Sequence, residues 1–89
     1  MVKGGLDHAT KALALELAAY NVKVNAVAPG IIDTPLHTPE THAFLKTLSP
    51  LGRIGSTQDI VDAVFYLGDA EFTTGTVLTV DGGAIAGKW

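Results

Sequence analysis

The feature that most constrains this chain is a pair of β-branched runs held far apart by helix-forming text. VKVNAVA (22–28) is closed by Pro29 and Gly30, and TVLTV (76–80) is closed by Asp81, Gly82 and Gly83. Each run has the composition and length of a strand. A strand that returns through helices to a neighbour is a parallel crossover unit, right-handed by rule. The class is therefore α/β. Parallel sheets are covered on both faces and seldom consist of two strands, so this pair reads as the end of a larger sheet.

The helices follow from spacing. Residues 4–20, GGLDHATKALALELAAY, place Leu6, Ala9, Leu13 and Leu17 on one face and pair Asp7 with Lys11 four positions on. The second half of this segment is apolar nearly all round, whereas a surface helix of a monomer carries a polar back. Burial on two sides is expected, with Asn21, tolerant of left-handed backbone, as the stop. Glu16 is out of place on such a face and points to a salt bridge or polar contact at an interface. Ser56 and Asp59 make a capping-box-like start to a second amphipathic helix over 57–68, with Ile60, Val64 and Leu67 beside Val61 and Phe65 and an end at Gly68. Between them, Thr38, Pro39 and Glu40 open a short helix whose apolar side is Phe44, Leu45 and Leu48.

Composition then limits the functions. A chain of 89 residues forms one small domain that hides only about 60% of its unfolded surface. Yet 47% of its residues are apolar and 17% charged, more oil than one small core can use. A partner surface is expected, and open strand edges demand the same. With no cysteine, disulfides, thiolate zinc sites and cysteine nucleophiles are excluded. A net charge of −3 offers no basic footprint for nucleic acid. No apolar run reaches the roughly 20 residues of a membrane span, and Met1 leads into Val2, Lys3 and two glycines rather than a signal-peptide core, so the expected location is cytoplasmic. His37, Glu40 and His42 in HTPETH have neither helical zinc spacing, and Pro39 breaks the one-face geometry, so the segment reads as a solvated loop with no metal site. Tyr20 and Tyr66 read as partly buried rings with hydroxyls at the surface.

Three segments in order, KGGLDHATKALALELA, VKVNAVAPGIIDTP and TGTVLTVDGG, resemble the C-terminal third of the short-chain dehydrogenase/reductase family, over nearly the whole chain. The resemblance implies the C-terminal part of a Rossmann-like doubly wound parallel sheet, one incomplete domain over 1–89 with two parallel strands, two main helices and a short one, completed by oligomerisation. Residues 31–56 would hold the variable substrate loop. The implied activity is NAD- or NADP-dependent hydride transfer to or from a carbonyl or alcohol carbon, in a homo-oligomer formed through helices 4–20 and 57–68. Lys3 stands at the lysine of the family's Y-x-x-x-K motif, where it would bond the nicotinamide ribose and lower the pKa of the catalytic tyrosine. Pro29, Gly30, Ile31, Ile32 and Thr34 would line the nicotinamide, Ile32 through its backbone and Thr34 through its hydroxyl. Asn25 would steady neighbouring loops.

The tyrosine position falls upstream of Met1, neither Tyr20 nor Tyr66 has a lysine four residues on, and no G-x-G-x-x-G occurs. The expectation is a truncated chain that reads as if begun at an internal methionine. Without the catalytic serine, tyrosine and phosphate loop, it should bind cofactor weakly if at all and be inactive alone. The alternative is a non-catalytic, self-associating α/β fragment. Taken without the resemblance, Lys3 is a solvated amine near a terminus, Pro29 and Gly30 a strand stop, and Thr34 a turn residue.

Overall fold

The computed structural model describes residues 2–32 and 39–86. Helix α1 (Val2–Leu17) tightens into a 3-10 turn, Ala18–Tyr20, and is followed by strand β1 (Ala26–Pro29), helix α2 (Pro39–Lys46), helix α3 (Thr57–Asp69) and strand β2 (Val77–Val80). The strands pair in parallel, Ala26 opposite Val77 and Pro29 opposite Val80, as the expected crossover requires. Helices α1 and α3 lie on opposite faces of this pair: Leu6 of α1 shares a cavity with Ala28 and Thr79, and Leu67 of α3 one with Val27.

Local signals set the helix ends. Asn21 adopts the left-handed conformation at φ 59° and ψ 36°, and its N–H closes on the Ala18 carbonyl at 2.9 Å. Ser56 and Asp59 complete a reciprocal capping box at the start of α3. Gly68 does not end that helix. It stays inside, and Ala70, in extended conformation, is the cap. Lys11 Nζ meets Asp7 Oδ1 at 2.6 Å across one turn of α1.

Both strands are shorter than their β-branched runs. Over 22–25 side chains do most of the joining: the Asn25 amide donates to the Thr73 carbonyl at 2.9 Å and accepts from the Thr76 N–H at 3.0 Å, and the Thr74 hydroxyl accepts from the Val24 N–H at 3.0 Å, beside one backbone bond from the Gly75 N–H to the Val24 carbonyl at 2.7 Å. Regular pairing starts only at Ala26. At the other end, Pro29 belongs to the ladder instead of stopping it. The N–H groups of Ala26 and Gly30 point at β2, bonding Thr76 and Val80, so Pro29 lies on the opposite edge, where its missing N–H costs nothing.

The buried helix faces also differ from the expected ones. In α1 the buried residues are Thr10 and Ala14, not Ala9 and Leu13; Ala14 is 3% exposed, with Leu6 and Leu17 half-buried beside it. Small side chains let the helix close on the loop before β2, where a methyl built at Gly75 would stand 3.4 Å from Ala14 Cβ. Leu13 is left 48% exposed, Leu15 81% exposed, and Glu16 faces solvent. In α3, Ala63 and Leu67 are buried and Ile60 and Val61 half-buried, whereas Val64 and Phe65 turn outward. Tyr20, Tyr66 and Phe44 are more exposed than expected, for lack of a second layer over them. Among the described residues no helix is long and apolar enough to cross a membrane.

Candidate functional site

Parallel strands that finish together place their following loops at one edge, where open α/β sheets bind ligands. Here Pro29 is the last residue of β1 and exposed, and the Gly30 N–H bonds the Val80 carbonyl at 2.9 Å. The Gly30 backbone runs against Asp81 so closely that an added Cβ would fall 2.5 Å from Asp81 Cβ and 2.8 Å from its Cα. Asp81 in turn shapes the segment after β2. Its carboxylate oxygens accept the N–H groups of Gly83 at 2.9 Å and Ile85 at 3.0 Å. Gly82 and Gly83 take the positive φ values of 64° and 93° that this reversal needs. The chain thereby turns back, and Ala84 and Ile85 roof the strand ends.

The result is a cavity of about 480 Å³ lined by Leu6, Ala28, Pro29, Gly30, Ile31, Leu48, Thr79, Asp81, Ala84 and Ile85. Lys3 lies in the first turn of α1, one turn before Leu6. Ile31 and Ile32 are anchored beside it: the Gly55 N–H donates to the Ile31 carbonyl at 2.8 Å, and Ile32 and Gly55 form a parallel bridge. The structure thus gathers Pro29, Gly30 and Ile31 around one cavity, with Ile32 alongside and Lys3 on the helix that walls it. Thr34, His37 and the expected helix start at Thr38 lie outside the described residues. Among the described residues no group of three His, Cys, Asp or Glu side chains could hold a metal.

Sequence reasoning missed part of this wall. Asp81 reads as a turn residue in D-G-G, and nothing in the text places it against Gly30. Thr79 could have been found, since period two along TVLTV puts it on the face of Val77. Nothing in the local sequence places Ile85 or Leu48 at the cavity.

A second cavity, about 510 Å³, opens beyond the same strand ends and includes Arg53 and Asp59. The guanidinium meets Asp59 at 2.9 and 3.3 Å, and the Ser56 N–H and hydroxyl reach the same carboxylate at 2.7 and 3.1 Å. These donors, Arg53 first, hold the Asp59 carboxyl well below the usual carboxylate range, and the pairing raises Arg53. A carboxyl whose pKa is depressed by folding contributes stability above its unfolded pKa and loses it as pH falls further. Urea midpoints should therefore be flat down to about pH 4 and fall below it. Asp59→Asn should flatten the acid limb, and salt should weaken the effect, since the pair is partly exposed. An unchanged acid limb in Asp59→Asn would refute this.

Comparison with known proteins agrees with this geometry. A family described as "Enoyl-(Acyl carrier protein) reductase" matches residues 1–84. The chain is 41% identical over 88 residues to "3beta-hydroxysteroid dehydrogenase 1" of Eggerthella lenta, covering 91% of this chain and 34% of that protein. Among solved structures, a 4-hydroxyisoleucine dehydrogenase complexed with NADH superposes with TM-score 0.84 at 35% identity, over 97% of this chain and 38% of that one. ElxO with NADP bound gives TM-score 0.83 at 34% identity, over 94% and 37%. The chain spans about a third of the length of the relatives it matches.

Proposed function

The chain belongs to the short-chain dehydrogenase/reductase family, and from that premise we propose that it forms the carboxyl-terminal wall of an NAD(P)-dependent oxidoreductase site acting on a carbonyl or alcohol. The observation that carries this reading is the cavity at the strand ends, with the Pro29–Gly30 turn on one side and the helix of Lys3 on the other. The nicotinamide cofactor, when bound, supplies the hydride. Gly30 has no side chain, so its backbone can lie against a flat ring. Pro29 and Ile31 continue that wall, and by the family resemblance the Ile32 backbone meets the carboxamide with the Thr34 hydroxyl nearby.

Lys3 holds the ribose and lowers the pKa of a tyrosine hydroxyl that gives or takes the proton. The described residues fit the nicotinamide end: an apolar wall with open backbone. Among the described residues no basic side chain lines the cavity and the start of α3 is taken by its own capping box, so these residues offer the pyrophosphate no such seat. Residues 31–56 contribute the substrate loop. A cytoplasmic location belongs to the same proposal.

Turnover tests this reading. The 89-residue chain alone should not oxidise NADH or NADPH above background with a panel of ketones and aldehydes. Joined to the N-terminal two-thirds of a relative it should turn over, and Lys3→Ala should cost about 100-fold or more. Turnover by the chain alone, lost in Lys3→Ala, would instead reveal a minimal enzyme. A well-folded but silent chimera would favour the second reading, a self-associating fragment without chemistry, which the exposure of Leu13 and Leu15 supports.

A further inference from the structure

We propose that Asp81 is a positioning residue that holds two parts of the site in one frame, the Pro29–Gly30 wall and the far end of the loop that follows it, at Ser49–Leu51. The inference rests on the oxidoreductase reading for what these two parts hold, and on geometry alone for their connection. Gly82 and Gly83 take positive φ one after the other, and two glycines in series leave the segment after β2 little stiffness of its own. The Asp81 carboxylate supplies it. One oxygen accepts the Gly83 N–H at 2.9 Å and the other the Ile85 N–H at 3.0 Å, and bonds to a charged acceptor are stronger than neutral ones.

Both parts of the site bear on this stiffened turn. Gly30 comes so near that a methyl on it would overlap Cα and Cβ of Asp81. The Gly82 carbonyl accepts the Leu51 N–H at 3.1 Å and the Ser49 hydroxyl at 3.4 Å, and a methyl on Gly83 would stand 3.3 Å from Pro50 Cγ. Gly55 ties the loop to Ile31 directly, whereas Ser49–Leu51 are tied through Gly82 and Asp81. A shift of the carboxylate therefore moves wall and loop relative to each other. In the oxidoreductase reading the wall seats the nicotinamide and the loop the substrate, so Asp81 sets how far apart the two are held.

Hydrogen exchange of the 89-residue chain, native and Asp81→Asn, tests the connection without cofactor. Asparagine keeps the shape against Gly30 but has one acceptor oxygen where the carboxylate has two, so one of the two N–H groups loses its partner. Exchange at Gly83 or Ile85 should quicken about tenfold, and at Gly30 and Leu51, whose own acceptors are the Val80 and Gly82 carbonyls, at least about threefold. Leu67 in α3 should not change. In the chimera of the turnover assay, Asp81→Asn should lower kcat about tenfold while KM for NADH or NADPH changes less than about threefold, because misplacement of two bound reactants acts on the chemical step. Quickening confined to Gly83 and Ile85, uniform quickening that includes Leu67, or a folded chimera whose kcat is unchanged would overturn the proposal. A chimera silent before the substitution would overturn the oxidoreductase reading instead, and the exchange pattern would still decide whether Asp81 connects wall and loop.

Discussion

Gly30→Ala is expected to lower the thermal midpoint of the chain by several degrees, up to about 20 °C, and Gly68→Ala to raise it slightly. The contrast isolates space from backbone freedom. At Gly30 the new methyl would sit 2.5 Å from Asp81 Cβ and 2.8 Å from its Cα, so relief requires β1 and the segment after β2 to move apart. Overpacking of this kind costs about 1–3 kcal/mol, and in a domain of this size each kcal/mol shifts the midpoint by about 4–8 °C. Stiffening the unfolded chain returns only about 0.4–1 kcal/mol, too little to compensate. At Gly68, inside α3, a methyl meets nothing within 4 Å, so the helix preference for alanine acts unopposed. Equal midpoints for Gly30→Ala and the native chain, by calorimetry, would show that the Gly30–Asp81 approach is looser than described.

Leu13→Asp is expected to dissociate an oligomer while leaving the secondary structure of the chain intact. Within one copy Leu13 is 48% exposed and its neighbour Leu15 81% exposed, so a charge at position 13 breaks little of the chain's own core. If α1 packs against a second copy, as we propose, the same charge must be desolvated at the centre of that contact. Truncations and charges at such places cost about 2–4 kcal/mol, roughly 30-fold to 1000-fold in dissociation constant. Sedimentation at micromolar concentration should show at least a dimer for the native chain and a folded monomer for Leu13→Asp. A native chain that sediments as a compact monomer would overturn the proposed contact between copies through α1.

What was legible in the sequence was what neighbours along the chain decide. Asn21 stops α1 and Ser56 with Asp59 starts α3 because those choices need three or four residues of context. The parallel crossover followed from the helical text between two strands, and Pro29–Gly30 marked the strand end where the cavity forms. The inner face of α1 was not legible, because two apolar faces compete there and the winner, Thr10 with Ala14, is chosen by how closely the helix can approach Gly75. The late start of β1 was hidden for a similar reason: the Asn25 side chain replaces ladder bonds with bonds to a loop far along the chain. The site followed the same division. Its floor, Pro29 to Ile31, is local text, whereas its roof depends on Asp81 folding Ile85 back over residues remote in sequence.

The clamp made by Asn25 also has a consequence in time. Its partners stand 48 and 51 positions downstream, and both strands wait on that closure. Loop-closure entropy must be met before any ladder bond forms, which makes such parallel pairings slow. The helices, whose contacts are local, can form well before. On a ribosome adding about 5–20 residues per second, β1 emerges seconds ahead of β2 and spends that interval without its partner. The vulnerable species is thus a nascent one, in which α1 is formed and β1 still lacks β2. Asn25 sets how firmly that interval ends, so weakening it should show first as lost yield during synthesis, before any change in the finished fold.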